Sequence, residues 1–196
     1  MEHNIKRIAV FASGRGTNAQ NLISFFSKND TGRVVLVLSD KKEAGVISRV
    51  KDMGVEIVVF SREELLGGTV LSMLKEKGID FIVLAGFLKM VPMDIIEKYH
   101  GRIVNIHPSL LPKYGGRGMY GMNIHRAVIE NRERESGITI HHVSPACDEG
   151  DIIFQTSVEI TDRDTPESLA AKISCLEMEH FPRVVEKIIS GLDLQS

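Results

Sequence analysis

Cysteine is scarce in this chain: Cys147 and Cys175 are the only two in 196 residues. They match no zinc-ligand spacing and make no disulfide framework, so reduced thiols in a cytoplasmic protein are expected. Charge of one sign is missing as well. The 24 Lys and Arg against 26 Asp and Glu are mixed along the sequence, leaving no basic run of the kind a nucleic-acid footprint needs. Long apolar runs are also absent: the longest, near residues 81–88, falls far short of the about 20 residues of a membrane span. The N-terminus runs straight into an apolar segment, and no signal peptide is expected. No repeat, low-complexity tract or linker divides the sequence, so residues 1–196 are expected to form a single domain with a substantial core. Monomer and homodimer both stay open.

What is present is alternation. Short runs rich in Val, Ile and Leu at 7–12, 34–38, 56–60, 81–84 and 103–106 predict strands. Between them, helical spacing predicts helices over 18–27, 45–53, 62–77 and 93–99. This order, with strands that are continuously apolar, implies an α/β fold: a mostly parallel, doubly wound (Rossmann-like) sheet with helices on both faces. After residue 135 the pattern changes. Strands are expected at 138–143 and 152–160, joined by the polar turn 147–151, which is short enough for an antiparallel extension near the C-terminus. Thr165-Pro166 opens a last helix, expected to run to about Ser190 and stop at Gly191.

The chemistry concentrates in Asn105-Ile106-His107-Pro108-Ser109-Leu110-Leu111-Pro112. Residues i and i+2 of a strand share a face, so Asn105 and His107 can meet one reacting atom, as hydrogen-bond donor and as titratable base. The prolines end the strand there, and Leu111-Pro112 is a candidate for a cis bond. Between the first strand and the first helix, Ser13-Gly14-Arg15-Gly16-Thr17-Asn18-Ala19 reads as a phosphate loop or as a plain tight turn. Gly14-x-Gly16-x-x-Ala19, with Asp40 at the end of the second strand, also satisfies a dinucleotide fingerprint, so an NAD(P)-dependent oxidoreductase is a rival. Thr17-Asn18 suits a terminal monophosphate instead. Asp148 is either a member of a solvated acidic turn or, brought near His107, a stabiliser of its imidazolium form and of a relay water. Residues 84–91 serve equally as core or as a slot for a flat ring. His107, His125, His141, His142 and Cys147 lack ligand spacing, so no metal is expected; His141 and His142 point to opposite faces, and which one faces the site stays open. No G-x-S-x-G elbow serves Ser13 or Ser109, and Cys147 has no cationic neighbour to activate it.

Four segments together resemble one family: Gly14-Arg15-Gly16-Thr17-Asn18, Leu84-Ala85-Gly86-Phe87, Asn105 through Tyr114, and Asp148-Glu149-Gly150. The chain is similar, from about Arg7 to Gly191, to the phosphoribosylglycinamide formyltransferases, folate-dependent enzymes of purine synthesis. The resemblance implies formyl transfer from 10-formyltetrahydrofolate to the amine of glycinamide ribonucleotide, with no metal. It implies Asn105, His107 and Asp148 as the catalytic trio, and Gly16, Thr17, Asn18 and Glu177 as the nucleotide grip. For the folate it implies Leu88, Lys89, Met90, Val91, Asn105 and Val143 around the pteridine, with Arg62 toward the glutamate tail. Related methionyl-tRNA formyltransferases add a C-terminal nucleic-acid-binding domain, and formyltetrahydrofolate hydrolases an N-terminal regulatory one; loop and length favour the nucleotide enzyme. Two departures stand out. Residues 115–125 are longer and richer in glycine than the family pattern, and Pro145 and Cys147 replace acidic and aliphatic choices.

Overall fold

The computed structural model describes residues 5–192. In chain order the elements are β1 (Lys6–Phe11), α1 (Thr17–Phe26), β2 (Gly32–Ser39), α2 (Gly45–Val50), β3 (Glu56–Val59), α3 (Arg62–Leu66) and α4 (Thr69–Glu76). There follow β4 (Phe81–Leu84), α5 (Met93–Lys98), β5 (Ile103–His107), α6 (Met122–Glu130), β6 (Glu135–His142), β7 (Ile152–Glu159) and α7 (Pro166–Leu192). The seven strands form one sheet in the order β3-β2-β1-β4-β5-β6-β7. Pairings from β3 to β5 are parallel, and β6 and β7 add on antiparallel. The expected α/β architecture is the one observed.

The apolar runs of the central strands follow from burial on both faces. Along β1, Ile8 and Val10 enter one core with Leu22 and Phe26 of α1 and Ile173, Phe181 and Val185 of α7. Their neighbours Ala9 and Phe11 enter the opposite core with Leu74 of α4 and Ile95 of α5. Period-two alternation thus divides one run between two layers. The chain winds outward from β1 to β3 and then in the other direction from β4, so the crevice at the carboxyl ends of β1 and β4 is the topological switch point, where ligands bind in such sheets.

Three elements differ from expectation. The helix expected over 62–77 is two helices, because Gly67-Gly68 breaks it: Gly68 has φ 81°, a left-handed residue that starts α4. The first piece carries a full capping box, with Ser61 Oγ accepting from Glu64 N at 3.2 Å and Ser61 N donating to Glu64 Oε2 at 2.7 Å. The glycine-rich stretch yields an unanticipated helix, α6, whose Ile124 and Val128, four residues apart, are buried on one stripe. Finally, α7 passes through Gly191 to Leu192. No helix among the described residues is long and apolar enough to cross a membrane.

Since a Cβ at Gly68 would meet only Asp94 Oδ2, in ordinary contact at 3.9 Å, but φ there is left-handed, Gly68→Ala is expected to lower stability by about 1 kcal/mol in urea denaturation. In one continuous helix the same change raises stability by a similar amount, and a gain would restore the unbroken helix.

Candidate active site

The loop after β1 is shaped by α2. Gly16 has φ +77°, and a Cβ there would sit 2.5 Å from Val46 Cα, so only glycine fits. Val46 N donates to the Gly14 carbonyl at 3.0 Å, and Arg49 Nε to the Arg15 carbonyl at 2.8 Å. Gly16 is the N-cap of α1 and offers no side-chain cap, so the amides of the first turn at Thr17 have no capping side chain. Asn18 Nδ2 donates to Glu177 Oε2 of α7 at 3.0 Å, while Asn18 Oδ1 is buried without a partner. Burial pushes the Glu177 carboxyl above its ordinary value, against the opposing pull of the Asn18 hydrogen bond and the Arg15 charge. Gly16, Thr17, Asn18 and Glu177 therefore lie together, 159 positions apart in sequence at the widest bond.

Asn105 and His107 end β5, in register with His141 and Thr139 of β6. The chain then turns through a cis Leu111–Pro112 bond. Thr139, fully buried, locks this turn: its Oγ1 donates to the Ser109 carbonyl at 2.7 Å and accepts from Leu111 N at 3.0 Å. Gln155 of β7 adds donation to the Leu111 carbonyl at 3.0 Å. The turn delivers the Tyr114 carbonyl to His107 Nε2 at 2.7 Å. A carbonyl only accepts, so Nε2 carries the hydrogen and Nδ1 is the nitrogen left to face the site. Nδ1 lies 3.6 Å from Asp148 Oδ2.

Asp148 sits between two histidines. Its Oδ2 accepts from Gly116 N at 2.8 Å and from Cys147 Sγ at 3.6 Å; its Oδ1 is 3.8 Å from His141 Nε2. The turn that carries it returns tightly because Gly150 has no side chain, where a Cβ would overlap the His142 carbonyl. His141 takes the tautomer opposite to that of His107. Its Nδ1 donates to the His142 carbonyl at 2.9 Å, and its Nε2 accepts from Asn105 Nδ2 at 3.1 Å. Burial, the largest influence on it, lowers the His141 pKa, so this ring is neutral and its approach to Asp148 is proximity rather than an ion pair. Of the two adjacent histidines, His141 is the one at the site, and its hold on Asn105 was not foreseen. The Tyr114 carbonyl and the Gly116 amide were not foreseen either.

The other expected residues divide. Leu88 and Met90 are exposed large apolar side chains beside the switch point, Lys89 is exposed, and Val91 and Val143 pack on the second core. Arg62 opens α3 beyond the edge strand β3, with β2, β1 and β4 standing between β3 and β5, so it is not part of the polar cluster. Asp40 is turned inward: its side chain is 7% exposed, Oδ2 lies 3.9 Å from Lys89 Nζ, and Oδ1 is buried without a partner. The dinucleotide alternative is not supported. A cavity of about 380 Å³ lies on the α2 side of the glycine loop, lined by Arg15, Gln20, Gly45, Ser48 and Arg49, none of which belongs to the polar cluster. Among the described residues no group of three or more His, Cys, Asp or Glu is arranged to hold a metal ion.

Fold and site together define a doubly wound α/β protein with a glycine loop at a helix N-terminus and a carboxamide–imidazole–carboxylate group at the strand ends. The family model for formyl transferase matches residues 6–185, and the chain belongs to that family. It is 37% identical over 190 residues to the chloroplastic phosphoribosylglycinamide formyltransferase of Arabidopsis thaliana, covering 93% of this chain and 65% of that one. It is 33% identical over 193 residues to phosphoribosylglycinamide formyltransferase of Haemophilus influenzae, covering 95% of this chain and 89% of the relative. The chain thus spans less than two thirds of the length of two plant relatives, 65% and 61%, but most of the bacterial one. The crystal structure of phosphoribosylglycinamide formyltransferase from Bacillus halodurans superposes with a TM-score of 0.85 at 38% identity, over 94% of this chain and 96% of that one.

The raised Glu177 carboxyl has a signed consequence for stability. Below about pH 4.3 the group is protonated in both folded and unfolded chains and contributes nothing. As pH rises the unfolded chain ionises first, so the buried acid subtracts stability. The advantage of Glu177→Gln over the parent is therefore expected to widen from pH 4 to pH 8 in thermal unfolding. A gap that stays constant with pH would contradict the shift.

Proposed function

We propose that this chain transfers a formyl group from 10-formyltetrahydrofolate to the amine of 5'-phosphoribosylglycinamide, a step of de novo purine biosynthesis. The observation that carries this reading is the convergence of Asn105, His107 and Asp148 at the carboxyl end of β5, on the same sheet edge from which the loop after β1 leads into α1. His107 Nδ1 lies 3.6 Å from Asp148 and Asn105 is held by His141. Membership of the formyl transferase family and the names of the relatives support it.

The residue types suit acyl transfer. The substrate phosphate rests on the amides at Gly16 and Thr17, and Asn18 with Glu177 meets the ribose and glycinamide end. The amine nitrogen attacks the formyl carbon, and the carbonyl oxygen becomes an oxyanion. Asn105 Nδ2 spends one hydrogen on His141 and aims the other at that oxygen; His107, protonated on Nδ1, adds a second donor. Asp148 faces His107 Nδ1 and stabilises its charged form. It also orders a water that carries the proton from the attacking nitrogen to the departing folate nitrogen. Leu88 to Val91 and the segment from Val143 form the apolar walls for the pteridine, and Arg62 reaches toward the glutamate tail. The exposed free thiols of Cys147 and Cys175 suit the reducing cytoplasm.

The test is formyl transfer followed by folate absorbance, with glycinamide ribonucleotide as acceptor. One oxyanion donor is worth roughly 3 kcal/mol, so Asn105→Ala is expected to lower kcat on the order of a hundredfold. His107→Ala and Asp148→Asn are expected to reduce turnover to near background with cooperative unfolding retained. Parent-like rates in either of these last two would remove the mechanism.

A further inference from the structure

One buried side chain joins the loop after β1 to the loop after β4. Ser13, 4% exposed, donates its backbone N–H to the Gly86 carbonyl at 3.0 Å, and its Oγ accepts the Leu88 backbone N–H at 3.0 Å. Gly86 has φ +75°, a left-handed turn that glycine takes without strain. Between the two bonds Phe87 is anchored in the core, edge-on to Phe11 with ring centroids 5.3 Å apart. Past this clasp the chain turns outward, and Leu88, Lys89 and Met90 are all exposed. The tie at the Leu88 amide therefore sets where the exposed wall begins. The glycine loop itself has separate supports, the Val46 amide on the Gly14 carbonyl and Arg49 on the Arg15 carbonyl.

We propose that Ser13 is a positioning residue for the formyl donor. By sequence it belongs to the nucleotide-side loop, yet its hydroxyl fixes the course of 88–91, the wall assigned to the pteridine in the functional reading on which this inference rests. The place demands a side chain small enough to be buried behind the glycine turn and bearing an oxygen that accepts an N–H. Alanine keeps the size and removes the acceptor. The Leu88 amide is then left to water and the wall loosens, while Gly14 to Asn18 keep their own braces.

The experiment combines steady-state kinetics, varying 10-formyltetrahydrofolate and glycinamide ribonucleotide separately, with amide hydrogen exchange at Leu88. For Ser13→Ala we expect the KM for the donor to rise roughly tenfold and Leu88 exchange to accelerate by a similar factor. The kcat and the nucleotide KM are expected to stay within about twofold. Ser13→Cys, with the same shape and a weaker acceptor, falls between parent and alanine; it carries both measurements if the alanine protein does not fold. An unchanged donor KM, an equal rise for both substrates, or unaltered Leu88 exchange overturns the proposal. If the parent protein transfers no formyl group, the functional reading fails instead, and Leu88 exchange alone decides whether Ser13 holds the loop.

Discussion

The hydrogen bond from His107 Nε2 to the Tyr114 carbonyl, 2.7 Å long, decides which nitrogen of the imidazole meets the cleft. Its net worth is small, about 1 kcal/mol for an ordinary protein hydrogen bond, but its directional effect is large. With Nε2 committed as a donor, Nδ1 faces Asp148. The bond exists because the turn after β5 is rigid. That rigidity comes from Thr139 and Gln155, one on each of the two antiparallel strands. The extension β6–β7 is therefore more than an edge to the sheet. It braces the turn behind His107, presents His141 to Asn105, and carries the turn that places Asp148.

The helical layers divide the remaining tasks. On one face α2 presses against the glycine loop at Gly16 so closely that no other residue type fits, and α7 brings Glu177 under Asn18. On the other face α4 and α5 cover the second core and leave the loop after β4 at the crevice mouth. A partly buried carboxylate such as Glu177, with its pKa raised by burial, beside an asparagine oxygen that lacks a partner, is unfavourable in the fold by itself. Such a pair is retained where a polar ligand completes it.

What could be read from the residues follows from the range of the forces involved. The central strands were legible because burial on both faces forces a continuous apolar run, and the Asn105–His107 pair because a strand repeats every two residues. The break at Gly67-Gly68 was not, since the apolar spacing over 62–77 continues through it and only the left-handed φ of Gly68 marks the stop. Helix α6 was hidden by the glycines before it. The choice between His141 and His142 is one of parity, fixed by the register that sets His141 opposite Asn105, and a register is a property of two strands rather than one. Backbone partners such as the Tyr114 carbonyl and the Gly116 amide carry no residue-specific signature at all. Asp40 occupies the position of a ribose-binding acid, but its side chain is mostly buried near Lys89, which no spacing rule reports.

The opposed tautomers of two histidines carry the whole arrangement, and nitrogen-15 NMR of the two rings reads them directly. The geometry predicts that neutral His107 carries its hydrogen on Nε2, and that His141 is neutral near pH 7 with its hydrogen on Nδ1 and a bare Nε2. A neutral His107 protonated on Nδ1, or a His141 protonated on Nε2, would contradict it, because neither the Tyr114 bond nor the Asn105 bond survives that exchange.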